Sequence, residues 1–240
     1  ERRISRVRKV MAPKNGYEDW EITQMLSNAL GYPMNYKHAS EIMDEVAQLT
    51  PTFKGVSYEK LDKLESIQWP CNDEFPEGTP TMHVDEFVRG KGKFFITEYV
   101  PTVEKVNGKF PLIMTTGRIL AHYNVGAQTR RTKNSEWHDE DLIEIHPHDA
   151  EERGINERDW VGINSRSGDT VLRAKITDKV QPGVVYTTFH HPVSGANVIT
   201  TDNSDWATNC PEFKVTAVQV TKVTQPSNWQ SKYQKFSEKQ

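Results

Sequence analysis

The chain reads as mixed α+β, with helical segments first and short strands after them. Three observations predict this. Apolar residues recur at helical spacing between Asp19 and Leu64. From Phe110 to Val223 short β-prone runs follow one another at roughly ten-residue intervals, separated by Gly, Pro, Asn and Asp. Between these regions, residues 68–92 are rich in proline and glycine and show little periodicity. Short strands at this spacing favour a closed barrel over a parallel α/β sheet.

Residues 1–67 form a short helical segment. Residues 1–12 are basic and extended, with Ile4, Val7 and Val10 recurring among Arg2, Arg3, Arg6, Arg8 and Lys9. A charge run of this kind reads as an exposed face. Ile22, Met25, Leu26, Ala29 and Leu30 share one helical face over Asp19–Leu30, with Asp19 as N-cap and Gly31 and Pro33 as the stop. A second helix spans about Ser40 to Leu49, ended by Pro51. A third spans Tyr58–Leu64, with Ser57 as cap and Leu61 and Leu64 inward. Residues 68–109 form an irregular connecting segment, which holds a strand over Phe94–Tyr99 and a hairpin turn at Asn107-Gly108.

The β-rich region covers 110–223. Strands are expected at Phe110–Thr115, Leu142–Ile145, Trp160–Ser165, Thr170–Ile176, Val184–Phe189 and Lys214–Val223. The first breaks at Thr116-Gly117. One or two helical turns begin at Pro147 and end at Gly154. The tail, 224–240, is polar and covers a surface.

Composition excludes several classes. A net charge of −3 with 26% charged residues argues against a general nucleic-acid binder. No apolar run approaches the ~20 residues of a membrane span. ERRISRVRKV lacks the apolar core of a signal peptide and an initiator Met, so the start reads as an internal point of a longer polypeptide. Cys71 and Cys210 form no CxxC, so this segment alone ligates no zinc ribbon or iron–sulfur cluster. Both are expected as reduced thiols of a cytoplasmic protein.

The chemistry concentrates in MTTGRILAHYNVGAQTRR, Met114 to Arg131. Arg118, His122, Tyr123, Asn124, Thr129, Arg130 and Arg131 follow a glycine turn at Gly117. Guanidinium forks donate in parallel to phosphate oxygens and keep their charge. Glycine allows close backbone approach. The stretch therefore suits a phosphate-bearing, aromatic-containing ligand, or else is a solvated basic loop. His190-His191 follow a strand and are ligands, proton carriers or loop-bonding histidines. Asn197, Thr200, Thr201, Asp202, Asn203, Asp205 and Asn209 form a polar loop whose amides can read a heterocycle's edge or serve turns. His146, His148 and Asp149 read as a helix start rather than a metal site, and Trp137–Asp141 as an acidic solvated loop. There is no GxSxG, P-loop or GxGxxG.

TTGRILAHYNVGAQTRR, DLIEIHPHDAEERGINERDWVGINSRSGD and PGVVYTTFHHPVSGANVITTDNSDWATNCPEFKVTAVQV together resemble the C-terminal part of the molybdopterin oxidoreductases. HYN-x-G-x-x-TRR with FHHP and N-x-PEFK is most similar to the catalytic (alpha) subunit of molybdenum- or tungsten-dependent, NAD-coupled formate dehydrogenases. SIQWP (66–70) and FVRGKGKFF (87–95) extend the likeness upstream. The resemblance implies a double-psi β-barrel over 110–223 that binds a molybdopterin dinucleotide, and makes 1–67 the helical end of a preceding α/β domain. It implies a bis(molybdopterin guanine dinucleotide) cofactor with Mo or W. By position, Gly117, Arg118 and His122 match the pterin-contacting turn, and Thr129, Arg130 and Arg131 the phosphate- and pterin-facing run. His190, Asn197, Asn209 and Lys214 match polar positions of the later loops.

Catalytic and metal-ligating residues are expected before Glu1, as are the iron–sulfur ligands; Cys71 and Cys210 match no such motif. 4Fe-4S clusters, FMN and NAD belong to the remainder of the subunit and its NAD-reducing partners. The implied reaction is reversible oxidation of formate to CO2. The alternatives are another molybdopterin oxidoreductase, such as a nitrate reductase-like enzyme, or a freestanding barrel module without redox activity.

Overall fold

The computed structural model describes residues 1–237. The chain forms two compact units, Glu1–Ile96 and Thr97–Gln240.

In the first unit, β1 (Arg3–Ser5) pairs antiparallel with β2 (Ser66–Gln68), placing Ile4 opposite Ile67. Three helices lie between them: α1 (Asp19–Ala29), α2 (Ala39–Leu49) and α3 (Tyr58–Leu64). Val56, Leu61, Ile67 and Cys71 form a small buried core, with Ile4, Met43 and Phe53 against it. Glu18, not Asp19, caps α1, because its side chain and that of Glu21 close a reciprocal capping box. Leu64 is half-exposed rather than inward: the seven-residue α3 buries only Leu61. The basic run is not simply solvated. The Arg2 guanidinium donates to the carbonyls of Trp69, Thr79 and Pro80, while Arg6 and Arg8 pair with Asp62. The apolar face of α1, with Met25, Leu26 and Leu30, stays exposed.

Phe94–Tyr99 is extended coil, not a strand. A strand needs a ladder to join, and the barrel described below closes on itself and offers no edge. Consequently Asn107-Gly108 joins no hairpin. Instead the Asn107 side chain accepts from the N–H groups of Lys109 and Phe110, which makes a local turn.

The second unit is a closed six-stranded barrel. Its strands are β3 (Leu112–Gly117), β4 (Leu142–Ile145), β5 (Trp160–Asn164), β6 (Asp169–Ile176), β7 (Val184–Thr188) and β8 (Thr216–Val223). Their order around the barrel is β3-β7-β4-β6-β5-β8, with β8 returning to β3. Two pairs are parallel, β3 with β7 and β4 with β6; the others are antiparallel. This is the double-psi barrel. Alternation sends Leu112, Met114, Ile143, Ile145, Val161, Ile163, Val185, Val218 and Val220 inward. Each such side chain contributes roughly 1.5–3 kcal/mol on burial.

β3 runs through Thr116-Gly117 rather than breaking there, because Gly117 still pairs with β7. The short helix α4 (Pro147–Glu152) is capped by the His146 ring, which accepts from the His148 N–H. After β7, α5 (Ala196–Ile199) forms one turn, and the polar tail folds as α6 (Asn228–Ser237). Among the described residues no helix is long and apolar enough to cross a membrane.

Candidate functional site

β3 and β7 run parallel and in register, with Gly117 opposite Thr188. Their C-terminal ends therefore open side by side. The chain leaves β3 as residues 118–141 and β7 as residues 189–215, so both long connections begin on one rim. A rigid scaffold presenting two loops is the usual setting for a binding site.

His190 ties the first loop to the second. It is fully buried; its Nε2 accepts from the Ile119 N–H at 3.1 Å, and its Nδ1–H donates to the Asn124 carbonyl at 2.5 Å. These bonds fix one neutral tautomer. Gly126 completes the wrap with φ at +68°: a Cβ there would lie 2.7 Å from the His190 carbonyl oxygen. His122 is also buried and fully engaged. The Tyr123 N–H donates to Thr129 Oγ1 at 3.3 Å, the Thr129 hydroxyl donates to His122 Nδ1 at 3.0 Å, and His122 Nε2–H donates to the His138 carbonyl at 2.7 Å. The His122 ring centroid lies 5.6 Å from that of His190 and 5.2 Å from that of His191.

Beneath the histidines sits Asp141, which is buried. Its carboxylate accepts from the Thr188 hydroxyl, from the His190 N–H at 3.2 Å and from the His191 N–H at 2.8 Å. His191 Nδ1 is a further 3.3 Å away, close enough for electrostatic attraction but outside hydrogen-bond alignment. Burial pushes the carboxyl up; the bonds from His191 and Thr188 outweigh it and hold the group at about 2. Asp141 was not legible as a site residue, since it closes the acidic run Trp137–Asp141. The available signal was its place directly before the strand Leu142–Ile145.

The cations stand outside this hub. Arg118 is exposed, with its guanidinium 5.9 Å from the ring centroids of both Tyr123 and Phe189. Arg130 and Arg131 are exposed on the 3-10 turn Thr129–Arg131. Arg130 lies over Gly126 and lines, with His191, Trp160, Arg173 and Tyr233, a cavity of about 300 Å³. Among the described residues, none of Arg118, Arg130 and Arg131 pairs with a carboxylate. The Lys214 ammonium donates to the Thr116 carbonyl beside the β3 exit. Gly117, Arg118, His122, Thr129, His190 and Lys214 thus gather around one rim. Asn209 is exposed at φ +54°, in a loop closed by Asp205. The Thr208 hydroxyl and the N–H groups of Thr208, Cys210 and Ala207 hold the Asp205 carboxyl at about 2. Asn197 lines a different depression, with Arg166, Thr201 and Phe213.

One further cluster brings ligand atoms within 4.8 Å of one another: His148, Asp149 and Glu152. Arg153 Nη1 already lies 3.8 Å from Asp149 and 3.3 Å from Glu152, and Asp149 accepts from the Gly183 N–H at 2.7 Å. That cluster is internally neutralised.

A barrel with two loops leaving one rim, and three exposed arginines in the first of them that meet no carboxylate among the described residues, is suited to a phosphate-rich cofactor. Residues 112–217 match the family described as molydopterin dinucleotide binding domain. The chain is 39% identical over 229 residues to the F420-dependent formate dehydrogenase subunit alpha of Methanocaldococcus jannaschii, covering 93% of this chain and 34% of that protein. It is 32% identical over 227 residues to formate dehydrogenase H of Escherichia coli, covering 92% and 32%. Acetylene hydratase from Pelobacter acetylenicus shares the fold, with a TM-score of 0.58 at 12% identity over 87% of this chain and 33% of that one. The chain spans about a third of the length of the curated relatives it matches. Residues 112–217 therefore carry a molydopterin dinucleotide binding domain, in a chain similar to one part of formate dehydrogenases.

Proposed function

We propose that this chain is the C-terminal, cofactor-binding portion of a formate dehydrogenase catalytic subunit. The observation that carries the reading is a set of three exposed arginines in the connection that leaves β3, none paired with a carboxylate among the described residues: Arg118 directly after Gly117, and Arg130 and Arg131 on the 3-10 turn Thr129–Arg131. Guanidinium groups free of carboxylates keep their parallel donors available for phosphate oxygens.

In this reading the chain holds a bis(molybdopterin guanine dinucleotide) with Mo or W. Arg130 and Arg131 offset phosphate charge, Arg118 and the Gly117 backbone meet the pterin side, and Asn197 and Asn209 offer exposed amides. Lys214 keeps donors to spare beyond its bond to Thr116. The ring nitrogens of His122 and His190 are already bonded within the protein, so both residues serve by fixing the loop. Thr129 does the same through its hydroxyl. When bound, the metal–pterin group supplies the two-electron chemistry that interconverts formate and CO2.

Residues 1–67 are the helical end of a preceding α/β domain, 68–109 are the connecting segment, and 224–240 are a polar tail. The metal ligands, the substrate-orienting groups and the iron–sulfur ligands are assigned to parts of the enzyme outside this chain. Electrons pass through clusters to partner subunits in the cytoplasm. NAD is the acceptor implied by the motif resemblance. F420 dependence in the names of the relatives from Methanocaldococcus jannaschii and Methanococcus maripaludis favours F420 as a second acceptor reading. Assay of the intact enzyme with formate and each acceptor separates the two.

The cofactor reading is tested by Arg130→Ala/Arg131→Ala in the intact enzyme. A charge-assisted hydrogen bond contributes about 1.5–3 kcal/mol, so loss of two should lower retained metal and pterin about tenfold or more with little change in Tm. Equal metal and pterin content in variant and parent would sink it.

A further inference from the structure

We infer that Asp141 is a positioning residue which locks the two rim loops into one rigid face, and that this face, on the reading proposed above, is the one that receives the dinucleotide. The coupling can be followed atom by atom. The Asp141 carboxylate takes the Thr188 hydroxyl and the N–H groups of His190 and His191, which fixes the chain where it leaves β7. Fixing the His190 backbone fixes its ring. That ring in turn holds the Ile119 N–H and the Asn124 carbonyl, in the loop that leaves β3. Asp141 itself directly precedes β4, which pairs with β7 on the barrel wall. One carboxylate at the start of β4 therefore sets the position of both loops.

The geometry suits a carboxylate and no other side chain. Both oxygens accept, and every partner is a donor. Asparagine keeps the shape but turns an NH2 toward a donor. The backbone N–H or hydroxyl left facing it loses its partner in a buried place, where that loss is expensive. The effect should spread along the chain of contacts to residues 117–126 and stop there.

The test is Asp141→Asn in the intact enzyme, with Asp149→Asn as a matched control. Asp149 is equally buried and also accepts a backbone N–H, from Gly183, but touches neither loop. Hydrogen exchange should accelerate roughly tenfold in both 117–126 and 189–194 for Asp141→Asn, and in neither for Asp149→Asn. Retained metal and pterin should fall, with an altered spectrum of the metal centre, only in the first variant. If Asp141→Asn does not fold, Thr188→Val removes a single donor and should produce a smaller acceleration in the same two segments. Unchanged exchange in 117–126 for the variant that folds overturns the proposal. Arg131→Ala is run in parallel. If it lowers cofactor content and Asp141→Asn does not, the positioning role fails alone. If Arg131→Ala leaves cofactor content unchanged, the cofactor reading fails, and the exchange data still decide the coupling.

Discussion

At Asp141 a charge is held away from water only because three donors meet it. A carboxyl that titrates near 3.8 when free and at about 2 when folded contributes about 2 kcal/mol of stability. The folded pKa is depressed, so the contribution is fully present above pH ~4 and is lost as pH falls through about 2. Acid denaturation of the parent and of Asp141→Asn should therefore show a stability gap at pH 6 that narrows steadily below pH ~4. A gap independent of pH would show that the charge itself contributes nothing. The same residue explains why half of the site could not be read from sequence. Arg118, Arg130 and Arg131 advertise themselves by type and spacing. Asp141 acquires its role only when β4 pairs with β7, a segment far along the chain, and brings Thr188 and the histidines to it.

Among the elements, the barrel strands were the legible part. Inward residues alternate with outward ones over Leu112–Gly117, Leu142–Ile145 and Trp160–Asn164, and that period is visible in the sequence. α6 was read as a polar tail, although Trp229, Tyr233 and Phe236 recur at helical spacing in NWQSKYQKFS; what the sequence does not show is the buried Gln230 amide that docks it. Gln230 Nε2 donates to the carbonyls of Val171 at 2.8 Å and Val193 at 3.0 Å, while Oε1 accepts from the Val171 N–H at 3.1 Å. Trp229 Nε1 adds a bond to the Asp169 carbonyl at 3.3 Å. Gln230→Ala strands the Val171 N–H in a buried place and should cost about 1–3 kcal/mol. Thermal unfolding of the variant against the parent measures it, and α6 should be cut by protease faster than in the parent. A Tm within a degree of the parent would mean that the helix is held elsewhere.

At the scale of the whole chain, the two units differ in kind. The barrel buries a continuous core, whereas the first unit has a core of four buried residues and leaves the apolar face of α1 bare. Limited proteolysis of the isolated chain should cut first between 84 and 100, where Val84, Phe87, Val88, Phe94, Ile96 and Val100 are exposed. The barrel fragment should then unfold cooperatively on its own. First cuts inside 142–188 would contradict this ranking.

The exposed coil has a second consequence, for handling rather than for chemistry. Phe94–Val100 reads FFITEYV: aromatic and β-branched, with one charge and no proline before Pro101. Such a window is a nucleus for cross-β stacking once nothing covers it. Lys91, Lys93 and Glu98 act as its gatekeepers. A preparation of this chain alone should form thioflavin-positive fibrils from that segment, while the closed barrel, having no free edge, stays out of the fibril spine.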